Sequence, residues 1–362
     1  MIKKSRILKK LLLAIIIAPI FCFSGLLLFA SITDFSPDEG SVDPVLPTFL
    51  ANKKIIPDTL CILIWNIGYS GLGKEADFFM DGGSHVKVSQ TLSEKYFHSI
   101  CAFLENEKSE TDFILLQEID RASSRSYLND QFNKIRDVLN GFEATFALNY
   151  DVKFVPVPFK IPYEPYGKTL SGLASFSKYR SAGSFRVQYP GGFGWPEKLF
   201  MLDRCGLEQK FKLKNGRELI IVNTHNSAYD ETGEIKLKEM KFIRERYEMY
   251  AKNGASVIIG GDWNQTPPGF SATHFNANIS EGYSRNPMDS TMIPIGFNVV
   301  SDNSLSTNRS LKDPYTKGRN YETLIDYFLI SKNIEIISVK TINLGFAESD
   351  HQPVLLNCII RD

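Results

Sequence analysis

The fold of this chain is decided by residues 255–264, which read ASVIIGGDWN. Small and apolar residues come first, and an uninterrupted run of this kind is typical of a strand buried on both faces. The polar residues Asp262 and Asn264 follow almost at once. Polar groups at the carboxyl ends of buried strands are where α/β folds build their sites. The stretch therefore predicts an α/β fold with functional groups at the end of a strand.

The same alternation extends along the chain. Further strands are predicted at Leu60–Trp65, Asp112–Gln117, Leu173–Ser177, Glu218–Asn223, Leu324–Ile330, Ile334–Leu344 and Pro353–Ile360. Apolar residues at helical spacing predict helices at Thr91–Lys108, Ser123–Asn140 and Glu234–Lys252. Strands that alternate with helices make an α/β domain in which the helices cover the sheets. Because no linker is evident within 58–362, we interpret this region as one domain.

Most of the predicted strands have chemically active side chains at one end. Taken alone, each has an ordinary explanation: Asn66 as a turn residue, Glu118 as a surface carboxylate, His225 as a core histidine with its hydrogen bonds satisfied. Together, and in this chain order, they become specific. The candidate site residues are Asn66, Glu118, His225, Asp262, Asn264, Asp326, Asp350 and His351.

In these segments the chain resembles the endonuclease/exonuclease/phosphatase superfamily, which contains pancreatic-type deoxyribonucleases, abasic-site endonucleases, neutral sphingomyelinases and inositol-polyphosphate 5-phosphatases. The matching pieces are WN at 65–66, QE at 117–118, NTH at 223–225, GDWN at 261–264, IDY at 325–327 and SDH at 349–351. They cover nearly the whole chain after residue 58. The resemblance implies a four-layer α/β sandwich, in which two packed mixed β-sheets are flanked by helices and the site lies at one edge.

The residue types also predict a metal. Carboxylates and an asparagine offer hard oxygen ligands, which suit Mg²⁺ or Mn²⁺ better than zinc. The resemblance implies that Asn66 and Glu118 hold the principal metal and that Asp350 completes its shell, directly or through water. Whether one metal ion or two are used stays open at this point.

The remaining site residues have implied roles at the phosphate. By the resemblance, Asp262 orients or deprotonates the attacking water, and Asn264 and His225 hold the phosphate. Asp326 pairs with His351 and fixes its tautomer and charge, so that the imidazolium can donate to a nonbridging oxygen. The aromatic residues inside the motifs are expected to pack against the site rather than react: Trp65, Trp263 and Tyr327.

Three segments are expected to form the rim of the site: 67–83, 150–167 and 308–321. The first two are rich in glycine, proline and aromatic residues. Such loops suit a lipid or another hydrophobic substrate, although aromatic residues also serve simply to pack loops together. Candidate cations for the phosphate, each with an ordinary surface charge as the alternative, are Lys153, Lys168, Arg204 and Arg309.

The N-terminus predicts the compartment. Residues 1–10 are strongly basic, no acidic residue precedes Asp34, and Leu11–Ile32 carries no charge. At 1.5 Å per residue this segment extends about 33 Å, enough to cross a bilayer core of about 30 Å. We interpret it as an uncleaved transmembrane anchor, with a cleaved signal peptide as the alternative. In either case the basic flank stays in the cytoplasm and the body lies outside, in the periplasm or the extracellular space.

The domain order is therefore a basic cytoplasmic tail (1–10), an anchor (11–32), a Pro-rich linker (33–57) and the catalytic domain (58–362). The cysteines of the body fit neither a zinc site nor a dense disulfide framework, and one disulfide stays open. These cysteines are Cys61, Cys101, Cys205 and Cys358. We expect a monomer.

The amino-acid composition and the charge distribution limit the classes of function that this chain can have. Hydrophobic residues make up 43% of the 362 residues and charged residues 23%, which excludes a mainly disordered or fibrous protein. The 41 basic and 41 acidic residues balance, but the basic excess lies at the N-terminus, so the body is mildly acidic. An acidic body is a poor electrostatic trap for nucleic acid. The first hypothesis is a Mg²⁺-dependent hydrolase of a lipid headgroup or a small phosphoester. The alternatives are a membrane-anchored nuclease and a catalytically inactive binding module.

Overall fold

Two mixed β-sheets pack face to face in this protein, as a computed structural model of the chain shows. It describes residues 2–51, 55–230, 232–276 and 287–361. The strands are β1 Val42–Pro44, β2 Thr59–Asn66, β3 Phe113–Asp120, β4 Glu143–Val155, β5 Gly167–Ser177, β6 Gly183–Gln188, β7 Cys205–Lys212, β8 Glu218–His225, β9 Ser256–Asp262, β10 Phe297–Val300, β11 Asn308–Arg309, β12 Glu322–Thr323, β13 Asp326–Ser331, β14 Ile334–Thr341 and β15 Val354–Ile360. The helices are α1 Ile2–Ile32, α2 Gln90–Glu107, α3 Gln131–Val138 and α4 Glu234–Lys252.

One sheet has seven strands in the order β1-β6-β7-β8-β9-β13-β10, and the other has six in the order β14-β15-β2-β3-β5-β4. The pairs β8–β9 and β2–β3 are parallel, and the other neighbours in both sheets are antiparallel. A short ladder of β11 and β12 stands apart from both. The predicted pair of mixed sheets is confirmed.

The three largest clusters of buried apolar side chains lie in three layers. The central cluster joins the inner faces of both sheets, with Ile62 and Leu115 from one sheet and Ile221 and Phe328 from the other. A second cluster packs α2 and α3 on the outer face of the six-stranded sheet, and a third packs α4 on the seven-stranded sheet. Each fully buried side chain of this size contributes roughly 1.5–3 kcal/mol. The result is the predicted four-layer sandwich.

Helix α3 is shorter than the sequence predicts. Tyr127 and Leu128 adopt positive φ angles of 57° and 58°, which no helix allows. The helix begins only after Asp130, whose side chain accepts a hydrogen bond from the amide of Asn133 at 3.2 Å. The predicted helix over 123–140 therefore contains a turn followed by two helical turns.

The segment 33–57 is attached to the body, although the sequence predicts a linker there. Strand β1 pairs with β6 at the edge of the seven-stranded sheet, and Phe49 forms an isolated bridge with Ala144. Residues 52–54 of this segment lie outside the described part of the chain. Before it comes α1, whose residues Leu13–Ile32 are long and apolar enough to cross a membrane, a test that a signal sequence also passes.

Candidate active site

The eight predicted site residues meet at one edge of the sandwich. Strands β2, β8 and β9 end there with Asn66, His225 and Asp262. Strand β13 runs the opposite way and begins there, so that Asp326 is paired with Asp262 across the ladder. Glu118 comes from β3, and the remaining three lie in the turns after β9 and before β15: Asn264, Asp350 and His351. The two sheets thus bring together residues that are far apart in the chain.

A backbone irregularity positions Glu118. The register of β3 against β5 shifts between Leu116 and Ile119, and Glu118 has a φ of 57°. A bulge of this kind changes the direction of a side chain, and a left-handed non-glycine residue is a strained feature that clusters at functional sites. Its Oε1 accepts a hydrogen bond from Asn66 Nδ2 at 3.2 Å.

The Gly261–Asn264 turn holds Asp262 rigidly. Gly261 has a φ of +148°, and a Cβ there would lie 2.1 Å from the carbonyl oxygen of Thr224. Only glycine fits this close approach of two strands. Oδ1 of Asp262 accepts a hydrogen bond from the amide of Asn264 at 2.8 Å, and Oδ2 accepts one from Asn66 Nδ2 at 3.0 Å. Asn264 donates through Nδ2 to the carbonyl of Asn226 at 3.0 Å.

His351 and Asp326 form a buried pair. Nδ1 of His351 lies 2.8 Å from Oδ2 and 3.1 Å from Oδ1 of Asp326. The backbone amides of Ile325 and Asp326 both donate to Thr307 Oγ1, which fixes the start of β13. Burial alone would lower the pKa of His351, but Asp326, Asp350 and Asp262 together raise it to about 10. His351 is therefore an imidazolium at neutral pH.

His225 lies in the opposite electrostatic situation. Its Nε2 is 3.5 Å from Asp262 Oδ2 and 3.9 Å from Glu118 Oε1. Burial and the positive charge of Arg204 lower the pKa of His225 well below its usual value, and they outweigh the effect of Asp262. The site thus holds one neutral and one charged imidazole side by side.

The charges of the site favour a bound cation. Four carboxylates converge here, those of Glu118, Asp262, Asp326 and Asp350. Burial is the main cause that raises the pKa of Asp326 to about 6 and that of Asp350 to about 7. Full ionisation of such a cluster requires positive charge that His351 alone does not supply. The carboxylate oxygens of Glu118 and Asp350 suit Mg²⁺ or Mn²⁺. Asn66 turns its Nδ2 toward Glu118 and Asp262, and its Oδ1 accepts a hydrogen bond from the amide of Gly68 at 3.0 Å. The residues present therefore fit a divalent metal ion.

A second group of metal-ligand type lies beside this one. Ligand atoms of Asp262, Asp326 and His351 lie within 4.8 Å of one another. However, both oxygens of Asp326 already contact His351 Nδ1, and Nε2 of His351 lies 3.0 Å from Asn308 Nδ2. Both ring nitrogens of His351 are therefore already in contact with other side chains.

Sequence reasoning missed Asn308. This residue forms a bridge with His351, and its Nδ2 also donates to the carbonyl of Asp350 at 3.3 Å. It belongs to the two-residue strand β11, which no periodicity marks. The aromatic residues of the motifs do pack as predicted: Trp65 and Trp263 are fully buried, and Trp263 stacks on Tyr327 with ring centroids 5.5 Å apart.

The structure separates the four candidate cations. Arg204 lines the pocket at the site, and its buried Nη1 has no hydrogen-bond partner among the described residues. Arg309 does not face substrate: it is fully buried and donates to the carbonyls of Leu72, Gly73 and Ala76. Lys153 is paired with Asp151 at 2.7 Å, and neither it nor Lys168 lines the pocket.

One pocket of about 160 Å³ contains the site. Its lining includes carboxylates and histidines, among them Glu118, Asp262 and His351. The rest of its wall is mostly apolar and aromatic and includes Leu72, Phe78, Phe79, Tyr150, Val155, Val157, Tyr166, Phe193, Phe200, Met201 and Leu202. An apolar chamber beside a small set of convergent polar groups is the usual form of a small-molecule site.

A buried guanidinium forms part of the floor of this pocket. Arg125 donates to Asp120 with two nitrogens and lies 3.7 Å from the ring centroid of Tyr69. Its Nη1 also donates to the hydroxyl of Tyr166 at 2.5 Å. These contacts use Arg125 structurally, because its charge is neutralised by Asp120. It therefore shapes the aromatic wall and leaves Arg204 as the cation facing the site.

Comparison with known proteins adds the family. The family model for the Endonuclease/Exonuclease/phosphatase family matches residues 64–351. No curated relative matches the chain in sequence. An endonuclease/exonuclease/phosphatase from Beutenbergia cavernae DSM 12333 superposes with a TM-score of 0.56 at 14% identity, over 84% of this chain and 72% of that one.

Two further structures share the fold. ANGEL2, described as a 2',3'-cyclic phosphatase, superposes with a TM-score of 0.54 at 14% identity over 91% of this chain and 100% of its own. The human Nocturnin catalytic domain with bound sulfate gives 0.50 at 16% identity over 84% and 95%. Members of this family are phosphoester-hydrolysing enzymes and generally use divalent metal ions. By its sequence match and its architecture, this chain belongs to the Endonuclease/Exonuclease/phosphatase family.

Proposed function

We propose that the chain is a Mg²⁺- or Mn²⁺-dependent hydrolase of phosphoesters that carry an apolar group, and that it acts outside the cytoplasmic membrane. Its substrate is then a lipid headgroup or a small phosphoester. The observation that carries the proposal is the pocket itself, since carboxylates and aromatic side chains line the same cavity. An apolar wall of this extent favours a substrate that buries hydrocarbon or rings beside its phosphate.

In this proposal Asn66, Glu118 and Asp350 hold the metal. When bound, the metal polarises a phosphoryl oxygen and stabilises charge on the leaving group. Asp262 orients the attacking water and accepts its proton, because one of its oxygens is fixed by the amide of Asn264. The scissile phosphate lies between Asn264, His225 and His351.

The two histidines have different tasks. The imidazolium of His351, held by Asp326, donates to a nonbridging oxygen and stabilises the charge that develops there. His225 has a lowered pKa and is neutral, so it contributes a hydrogen bond without adding charge beside Asp262. Arg204 also lines the pocket, and in this proposal its guanidinium contacts a phosphoryl oxygen.

A hydrogen bond joins two walls of the pocket. Tyr229 donates to Asp81 Oδ1 at 3.1 Å, and both residues line the pocket. This contact joins the segment around Phe78–Asp81 to the turn after β8. The competing candidate is a membrane-anchored nuclease, and the exposed basic side chains of Lys312, Lys317 and Arg319 favour it.

A substrate panel tests the proposal. The full chain, purified in detergent micelles, is assayed with Mg²⁺ and with EDTA on bis-p-nitrophenyl phosphate, p-nitrophenyl phosphate, plasmid DNA and sphingomyelin vesicles. We expect EDTA-sensitive turnover of a small phosphoester or of the vesicles, with the plasmid left intact. EDTA-sensitive nicking of the plasmid without turnover of the other substrates would establish the nuclease instead. No turnover of any of the four substrates would favour the catalytically inactive binding module.

A further inference from the structure

The last turn of helix α1 is held by the body of the protein. Phe29, Ala30, Thr33 and Asp34 line a small crevice together with residues 151–154 and Leu199. Ala30 is buried, and Lys198 lies 3.7 Å from Asp34. The chain then continues along the body, since Arg186 stacks over Phe35 and β1 joins the seven-stranded sheet. The body therefore cannot stand away from the point where α1 leaves the membrane.

This attachment fixes the height of nearby residues. The apolar span Leu13–Ile32 has 20 residues, which at 1.5 Å each gives about 30 Å, the thickness of a bilayer core. Ser31 thus lies at the boundary between hydrocarbon and headgroups. The indole Nε1 of Trp195 is 3.5 Å from Ser31 Oγ. Trp195 therefore lies at the level where tryptophan is enriched in membrane proteins.

The residues that hold α1 lead directly into the pocket. Strand β4 passes from the contact at 151–154 to Val155, and Val155 and Val157 line the pocket. On the other side of the contact, Leu199 is followed by the pocket residues Phe200, Met201 and Leu202. The two loops next to these contacts, 156–165 and 190–199, thus also contribute to the wall of the pocket, through Val157 and Phe193.

Both loops expose large apolar side chains. Phe159 and Ile161 in the first loop are 77% and 101% exposed, and Trp195 in the second is 62% exposed. Exposed apolar groups gathered beside a functional pocket need a partner that covers them.

We propose that the loops 156–165 and 190–199 rest on the bilayer from which α1 emerges, so that the pocket receives its phosphoester from that lipid surface. The inference rests on the proposed function and on α1 as a membrane span, and it names the bilayer as the source of the substrate. The continuity between anchor, loops and pocket wall is the observation that carries it.

Trp195 provides a direct test. Of the three tryptophans, Trp65 and Trp263 are 0% exposed, so Trp195 alone can meet lipid. The full chain is reconstituted into phosphatidylcholine vesicles whose acyl chains carry bromine, and tryptophan emission is compared with that in unbrominated vesicles. We expect bromine to quench a share of the emission, and Trp195→Phe to remove that share. Emission insensitive to bromine but quenched by aqueous acrylamide would overturn the inference.

A matched pair of variants tests the consequence for activity. Phe159→Ser combined with Ile161→Ser removes two exposed apolar side chains that do not line the pocket. Ile337→Ser is the control, since Ile337 is 54% exposed on β14, at the edge of the six-stranded sheet opposite to β4. We expect the double variant to lose at least fivefold in turnover of vesicle lipid and to keep turnover of bis-p-nitrophenyl phosphate within about twofold. Equal loss on both substrates, or no loss on either, would overturn the inference.

The two proposals fail in distinguishable ways. If no phosphoester is turned over by the wild-type chain, the proposed function fails, whereas bromine quenching of Trp195 still decides whether the loops rest on the bilayer. If soluble phosphoesters are turned over but Trp195 is not quenched, the proposed function stands and the membrane-facing pocket does not.

Discussion

Nδ1 of His351 lies 2.8 Å from Oδ2 of Asp326, and both side chains are buried. Asp326 is the first residue of its strand and His351 precedes the last strand, so the pair joins two strands of different sheets. The negative charge of Asp326 keeps the imidazole protonated despite burial. The remaining ring nitrogen, Nε2, then also carries a proton, and it lies 3.0 Å from the side-chain amide of Asn308 and 3.7 Å from Oδ2 of Asp262.

Asp326→Asn should remove this charge while keeping the shape of the side chain. We expect kcat to fall about 10²- to 10⁴-fold, the usual range for loss of one acid–base group. In metal-free protein the pKa of His351 should fall from about 10, because the negative charge of Asp326, which raises it most, is gone. NMR titration of the imidazole signals measures this shift. An unchanged pKa would contradict the assigned pairing.

His225 should stay neutral in the folded protein near neutral pH. Burial and Arg204 lower its pKa well below the usual value. A histidine with a lowered pKa costs folding stability only as the pH falls below its unfolded pKa of about 6.5. His225→Gln should therefore lessen the loss of stability between pH 7 and pH 5, relative to the wild type. Thermal unfolding in micelles at both pH values measures this, and an equal change at both would exclude the assignment.

Arg204→Met should weaken substrate binding without unfolding the protein. The methionine keeps the apolar stem of the side chain and removes a donor that has no other partner among the described residues. A charge-assisted hydrogen bond to phosphate is worth about 1.5–3 kcal/mol, so kcat/KM should fall roughly 10- to 100-fold. The matched control is Arg180→Met, since Arg180 is exposed and lies outside the pocket. Equal kinetics for the two variants would remove Arg204 from the site.

Gly261→Ala should destabilise the fold. The added Cβ would lie 2.1 Å from the carbonyl oxygen of Thr224, between two paired strands. We expect a loss of more than about 3 kcal/mol in the free energy of unfolding, or failure to fold. Gly192→Ala is the control, because a Cβ there meets nothing within 4 Å. Similar unfolding midpoints for both variants would contradict the close approach.

Asp203→Asn should stabilise the protein, and more at pH 8 than at pH 5. Burial, then the negative charge of Asp34, raises the pKa of Asp203 to about 7. A carboxyl with a raised folded pKa loses stability as the pH rises from about 4 to about 7. The variant should gain roughly 1–3 kcal/mol at pH 8 and less at pH 5. Thermal unfolding in micelles checks this, with the exposed Asp58→Asn as the control; a gain independent of pH would be the wrong result.

The strands and helices that could be predicted from the sequence share one property: the pattern of apolar residues within each element is enough to identify it. Strands β2 and β9 are continuous apolar runs, and α2 has a regular apolar face capped by Ser89. Strands β4, β6 and β7 escaped prediction because polar residues such as Glu143 and Glu208 are buried within them. Their partners across the sheet, and not their own pattern, determine that they are strands.

The candidate site divides in the same way. All eight predicted residues converge because each lies at a strand end, and strand ends meet at one edge. The left-handed conformation of Glu118 and the contact of Asn308 with His351 depend on residues distant in sequence. The same holds for Arg204 and Arg309, which the sequence could not distinguish. The fold places Arg204 in the pocket wall, whereas Arg309 is buried and donates to backbone carbonyls.

The central claim is that the chain is a metal-dependent phosphoester hydrolase in which Glu118 holds the metal. A Mg²⁺ titration of turnover tests this claim most directly. The full chain and its Glu118→Gln variant are compared on bis-p-nitrophenyl phosphate in micelles, with Glu143→Gln as a buried carboxylate away from the site. We predict saturable activation by Mg²⁺ in the wild type and the control, and at least 100-fold weaker turnover in Glu118→Gln with an unchanged unfolding midpoint. Glu118→Gln turning over substrate like the wild type, at the same Mg²⁺ requirement, would contradict the account.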